Sequence, residues 1–120
     1  MQETKSLKIA RTFLGKTVEV VFDRPMGSRH PKYDFVYEQN YGNIPGVLAP
    51  DGEDLDAFFL GPTEPLTKAK GICIAIIHRR DDDDDKLVVV PDGFAPSDEE
   101  IMKLVHFQER FFEGSIVVRK

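Results

Sequence analysis

Several things are scarce in this 120-residue chain, and each scarcity removes a class of protein. Cysteine occurs once, as Cys73, so no intrachain disulfide can form and a reducing compartment is expected. No apolar stretch is long enough to cross a bilayer, and Met1 to Ser6 lack the apolar core of a secretory signal. A cytoplasmic protein with no membrane partner is the expectation. Excess positive charge is missing as well: 16 Lys and Arg stand against 21 Asp and Glu, for a net charge of -5. That balance argues against a nucleic-acid partner. His30, His78 and His106 have no zinc-like spacing and read as structural. There are no repeats, and Asp81 to Asp85, the one low-complexity run, reads by itself as a solvated hairpin tip.

What is present suffices for one core. With 41% hydrophobic residues, positions 1–120 are expected to form a single domain. Leu7, Ala10, Phe13 and Leu14 recur at helical spacing between about Thr4 and Leu14, and Gly15 is placed to end that helix. Thr17 to Asp23 is β-branched and reads as a strand; Arg24 to Pro31 reads as a locally basic loop. Lys32 to Tyr37 alternates like a short strand, and Tyr41 to Gly46 reads as turn-rich. Gly71 to His78 is expected to be a buried strand, paired as a hairpin with Leu87 to Val90. Ser97-Asp98-Glu99-Glu100 is a capping box. The helix after it would turn Ile101, Leu104, Val105 and Phe111 or Phe112 inward and stop at Gly114, ahead of a last strand, Ile116 to Val118. The sum is a mainly β fold with flanking helices, an α+β protein built on a small barrel.

Chemistry is densest at Asp51-Gly52-Glu53-Asp54-Leu55-Asp56, directly before the apolar run Ala57 to Leu60. Carboxylates ~5 Å apart repel by roughly 3 kcal/mol at an effective dielectric of ~20. Such a turn splays into water, takes up protons or holds a hard cation. An EF-hand is disfavoured, because the alternating acidic spacing and the following bidentate glutamate are missing.

Three segments together resemble the soluble family I inorganic pyrophosphatases: Asp23 through Lys32-Tyr33-Asp34; Tyr37 through Tyr41-Gly42 to the Asp51–Asp56 turn; and Asp81 through Asp84 and Lys86 to Pro91. The family carries acidic residues at the first, third and sixth positions of such a turn, ten residues after a tyrosine-glycine pair, and Tyr41 to Asp51 keeps that interval. A weaker echo is His106-Phe107-Gln108-Glu109 on the late helix. The resemblance implies a five-stranded OB-like barrel and hydrolysis of pyrophosphate, or of another small phosphoanhydride, with Mg²⁺ as cofactor and Mn²⁺ as a substitute. Asp51, Asp56 and Asp84 would hold one ion, Asp56 and Asp81 a second, and Glu53 would orient the attacking water. Asp23 and Asp34 match further acidic positions, while Lys32, Tyr41 and Lys86 match phosphate-holding ones. Family members often form homo-oligomers.

The chain also departs from the family. Glu53 and Asp54 replace other residues of the turn, and Phe111 and Phe112 stand where a tyrosine and a lysine hold phosphate. These two phenylalanines read as core. A phosphate-clamping arginine belongs to a hairpin this chain lacks between Asp34 and Tyr37, leaving Arg29 or Arg24 as stand-ins. Two alternatives follow from these departures: a phosphohydrolase for an organic diphosphate, and a non-catalytic metal-binding module on the same scaffold.

Overall fold

Strand alternation in this chain sorts side chains into two cores, one inside a barrel and one against its outer wall. The computed structural model describes residues 4–79, 84–112 and 114–120. Its elements are α1 (Lys5–Arg11), β1 (Thr17–Arg24), β2 (Asn40–Leu48), β3 (Asp54–Phe59), β4 (Lys68–Arg79), β5 (Lys86–Val90), α2 (Asp98–Glu109) and β6 (Ser115–Val118). β1 pairs through Thr17–Val21 with the first half of β4, and past a bulge through Arg24 with Tyr41 of β2. β2 continues antiparallel to β3, β3 runs parallel to β5, and β5 returns antiparallel to β4. Five strands thereby close into a mixed barrel in the order β1-β2-β3-β5-β4-β1, and β6 extends the sheet beyond the second half of β4. The expected OB-like barrel with flanking helices is the fold observed.

Inside the barrel lie Val18, Val20, Phe22, Leu55, Ala57, Phe59, Cys73, Ile76, Leu87 and Val89, with Leu7 and Ala10 of α1 packed on them. The alternate positions Phe58, Leu60, Ile77, Val88 and Val90 face outward against Ile101, Val105 and Phe107 of α2. The second half of β3, from Ala57, and all of β5 are therefore buried on both faces, which is why Ala57–Phe59 and Leu87–Val90 run apolar without alternation. Helix α2 begins as read, with Ser97 Oγ accepting from Glu100 N and Glu100 Oε1 accepting from Ser97 N.

Four local expectations change. Tyr41 to Gly46 is strand, not turn; Gly42 is there because a Cβ would meet the Val21 carbonyl at 1.9 Å where β1 crosses. Lys32 to Tyr37 makes no strand beyond a single bridge, Arg29 to Val36, because the backbone N–H groups of Lys32 and Tyr33 both donate to His30 Nδ1. Phe111 and Phe112 lie past the end of α2 and outside both cores; Phe111 is 40% exposed. Asp85, grouped by sequence with a solvated run, is 1% exposed and bonds His78 Nδ1 at 2.7 Å beneath α1, where Ser6 Oγ accepts from its backbone N–H.

Candidate functional site

Register along the outer wall decides which charged side chains meet. Parallel pairing of Ala57 with Leu87 sets Asp56 beside Lys86 on the outward face, and antiparallel pairing of Phe58 with Tyr41 brings in the phenol. Lys86 Nζ lies 3.5 Å from Asp56 Oδ2 and 3.2 Å from Asp84 Oδ2. Arg79, on the outward face of β4, donates from Nη1 to that same Asp84 oxygen at 3.0 Å. Its Nε and Nη2 grip Glu109 of α2 at 3.1 and 3.0 Å.

Two clefts meet at Asp23. One, of about 260 Å³, is lined by Asp23, Arg24, Arg79, Asp84 and Lys86, with Tyr37, Tyr41 and His30 among its uncharged walls. The other, of about 380 Å³, is lined by Asp23, Asn43, Asp51, Gly52, Glu53, Asp54 and Asp56. Among the described residues, three cations face two carboxylates in the first, and the second has five carboxylates and no lining cation. The acidic turn is held by its own bonds: Asp51 Oδ1 accepts from Glu53 N at 2.9 Å, and Gly52 adopts a φ of 86° that few other residues take.

Burial tunes these groups. It raises the Asp56 carboxyl above its ordinary value, against the opposing pull of the Lys86 charge and a hydrogen bond from the Tyr41 hydroxyl. The Tyr41 phenol is raised well above its usual value, by burial first and then by Asp56, so it stays protonated and donates. Burial also pushes Tyr37 up to about 12, and Arg24 donates to its hydroxyl. Desolvation works against the Arg79 charge, but the bonds to Glu109 and the Asp84 charge outweigh it and hold the guanidinium above its normal value. Desolvation, Arg24 and Lys32 lower His30, and its Nδ1 accepts two backbone N–H groups, so its ring is neutral with the proton on Nε2.

Of the residues singled out by sequence, Asp23, Tyr41, Asp84 and Lys86 gather in the first cleft, and Asp23, Asp51, Glu53 and Asp56 in the second. Lys32, Arg29 and Asp34 stand outside both, on the exposed loop before β2, where Arg29 bonds Asp34 at 2.5 Å. The long loop fixes their distance from the barrel wall, and sequence order alone did not. Asp81 lies outside the described residues. Sequence reading missed Arg79 and gave no site role to Tyr37, Gln108 or Glu109, although these three lie in segments that carry the resemblance. The signal was an Arg and a Glu at the ends of apolar elements, where a buried charge needs a partner. Arg24, named as a stand-in, does line the cleft, and Phe112 lines it in place of joining the core.

Carboxylates suit a hard cation, and Mg²⁺ is commonly held by one or two of them plus water and substrate. Among the described residues, no three His, Cys, Asp or Glu side chains converge as a closed cage. A hard cation in the acidic cleft would therefore take most of its ligands from water and substrate, with one or two of these carboxylates.

A family model for inorganic pyrophosphatase matches residues 10–114. This chain belongs to the inorganic pyrophosphatase family. Solved structures agree on the fold. The enzyme from Ehrlichia chaffeensis superposes with a TM-score of 0.64 at 18% identity, covering 85% of this chain and 86% of that one. The pyrophosphatase of Coxiella burnetii gives 0.62 at 21% identity, over 89% and 87% of the two chains. That of Thermus thermophilus gives 0.58 at 20%, over 87% and 80%. A search of curated proteins found no match. At these identities the likeness to solved structures concerns the pyrophosphatase-type barrel, and the family model carries the membership.

Proposed function

We propose that this pyrophosphatase-family protein hydrolyses inorganic pyrophosphate to two phosphates with Mg²⁺ as cofactor. One observation carries the reading: a cleft of five carboxylates adjoins a cleft of cationic and phenolic donors, with Asp23 common to both. Asp51, Glu53, Asp56 and Asp23 are the residues that would hold the ion. When bound there, Mg²⁺ would screen the substrate's charge and acidify water. Lys86 and Arg24 would bind the phosphoryl oxygens through charge-assisted hydrogen bonds, which are short and strong. Tyr41, kept protonated by its burial, would donate to an oxygen whose charge grows as the anhydride bond breaks. Glu53, exposed on the turn, would accept the proton of the attacking water. The buried free thiol of Cys73 is in keeping with a cytoplasmic setting.

Phosphate release from pyrophosphate, with and without Mg²⁺, tests the proposal. Release is expected with the metal alone, and Asp56→Ala should lower turnover ~10²-fold or more, the scale of losing one preorganised group. Unchanged turnover in that variant would refute this site. Absence of any turnover beside tight Mg²⁺ binding would favour a non-catalytic module.

A second reading is favoured by Tyr33, which lines the cationic cleft, is 42% exposed, and stacks on Phe111 at 4.9 Å. An organic diphosphate could lay an aromatic base on that rim. Preference for pyrophosphate over every member of a nucleoside-diphosphate panel would remove this option.

A further inference from the structure

Arg79 is 3% exposed yet lines the cationic cleft, and everything around it fixes its guanidinium. Glu109 holds it in a two-point fork, and Ser115 Oγ donates to Glu109 Oε1 at 2.8 Å. The Phe112 ring covers one face, 3.5 Å from centroid to Cζ. A guanidinium has five donor hydrogens. Among the described residues Glu109 takes two and Asp84 one, which leaves two. Asp84 Oδ2 is in turn shared with Lys86 Nζ. A divalent ion brought to that oxygen would have to displace two permanent cations or face both. The arrangement is suited instead to an anion: paired positive groups with their side-chain entropy already spent, and a partly apolar wall beside them.

We infer that Arg79 contacts the phosphoryl oxygens of the substrate directly, as a cation built into the fold, and that Asp84 positions Arg79 and Lys86 and does not ligate metal. The inference rests on the reading of this site as one for a phosphoanhydride, and it deepens that reading. Its consequence is a division of labour. The cationic cleft takes a diphosphate anion with no divalent ion present, and metal binding is confined to the acidic cleft.

Calorimetric titration with imidodiphosphate, a non-hydrolysable diphosphate, in excess EDTA tests the first half. Binding is expected in the unaltered protein. It should weaken about 10- to 100-fold in Arg79→Lys, which keeps a charge for Glu109 but loses the planar fork. Removing Arg79 alone would strand a buried carboxylate, so Arg79→Met combined with Glu109→Gln serves as the second variant, with thermal unfolding as the check on its fold. Mn²⁺ titration followed by electron paramagnetic resonance tests the second half. Asp84→Asn should bind Mn²⁺ as the unaltered protein does, and Asp56→Asn should bind it about 10- to 100-fold more weakly. No anion binding in EDTA, undiminished binding in either folded Arg79 variant, or loss of Mn²⁺ binding in Asp84→Asn would each overturn the inference. Anion binding in EDTA without phosphate release in Mg²⁺ would support it while refuting the hydrolase reading; metal-dependent release without such binding would do the reverse.

Discussion

Single residues in this protein owe their chemistry to where burial leaves them. Cys73 sits inside the barrel, and desolvation pushes its thiol up to about 11. A thiol so raised and enclosed supplies almost no thiolate near neutrality. Labelling by a thiol reagent is expected to wait for denaturant, and rapid stoichiometric labelling of the native protein would contradict the packing. Asp85 is raised too, by desolvation against the bond and charge of His78. Between its unfolded and folded values the native chain therefore holds the extra proton. Its contribution to stability is full below the unfolded value and is lost as the pH climbs through the folded one. Asp85→Asn keeps an acceptor for His78 and removes the ionisation. Its melting temperature should approach that of the unaltered protein in acid and exceed it at neutrality. A variant less stable at both would mean that the charged pair is a net gain.

Elements add constraints that no single side chain carries. Where β1 crosses β2, Gly42 lets two backbones touch: an added Cβ would lie 1.9 Å from Val21 O and 2.7 Å from Phe22 Cα. Backbone on both sides cannot step aside, so Gly42→Ala should cost more than the ~1–3 kcal/mol usual for overpacking. Urea unfolding reads this directly, and a near-neutral result would mean that the crossing is looser than described. The N-terminus of α2 is a gentler case. Ser97→Ala breaks the capping box on an exposed turn away from both clefts, with an expected loss of ~1 kcal/mol and unchanged turnover. Activity falling with that cap would tie the site to helix position more closely than the geometry indicates.

At the scale of the whole molecule, charge is segregated. The chain is acidic overall at -5, yet among the described residues Arg24, Arg79 and Lys86 line one cleft and five carboxylates its neighbour. A ligand that binds the native state alone stabilises it by mass action, ~2.7 kcal/mol at ~100 times its Kd. Mg²⁺ should therefore raise the melting temperature of the unaltered protein, and Asp51→Asn together with Asp56→Asn should abolish that rise. An equal rise in the double variant would place the ion elsewhere.

Much of this was determined by the order of residues alone. Apolar runs at Ala57–Leu60, Gly71–His78 and Leu87–Val90 have few alternatives to buried strands, and Ser97 with Glu100 marks a helix start through local bonds. The acidic turn beside Tyr41 was legible as well, because interval and chemistry are both local. What tertiary structure decided is which face each charge occupies. A strand points successive residues to opposite sides. Just ahead of β5, one position likewise separates Asp84, in the cleft with Arg79 and Lys86, from Asp85, buried on His78. The same sorting left Lys32 and Arg29 on a loop outside and drew in Arg79 and Glu109 from elements 30 residues apart. Contacts of that length depend on barrel closure and helix docking, where register, not composition, selects the partner.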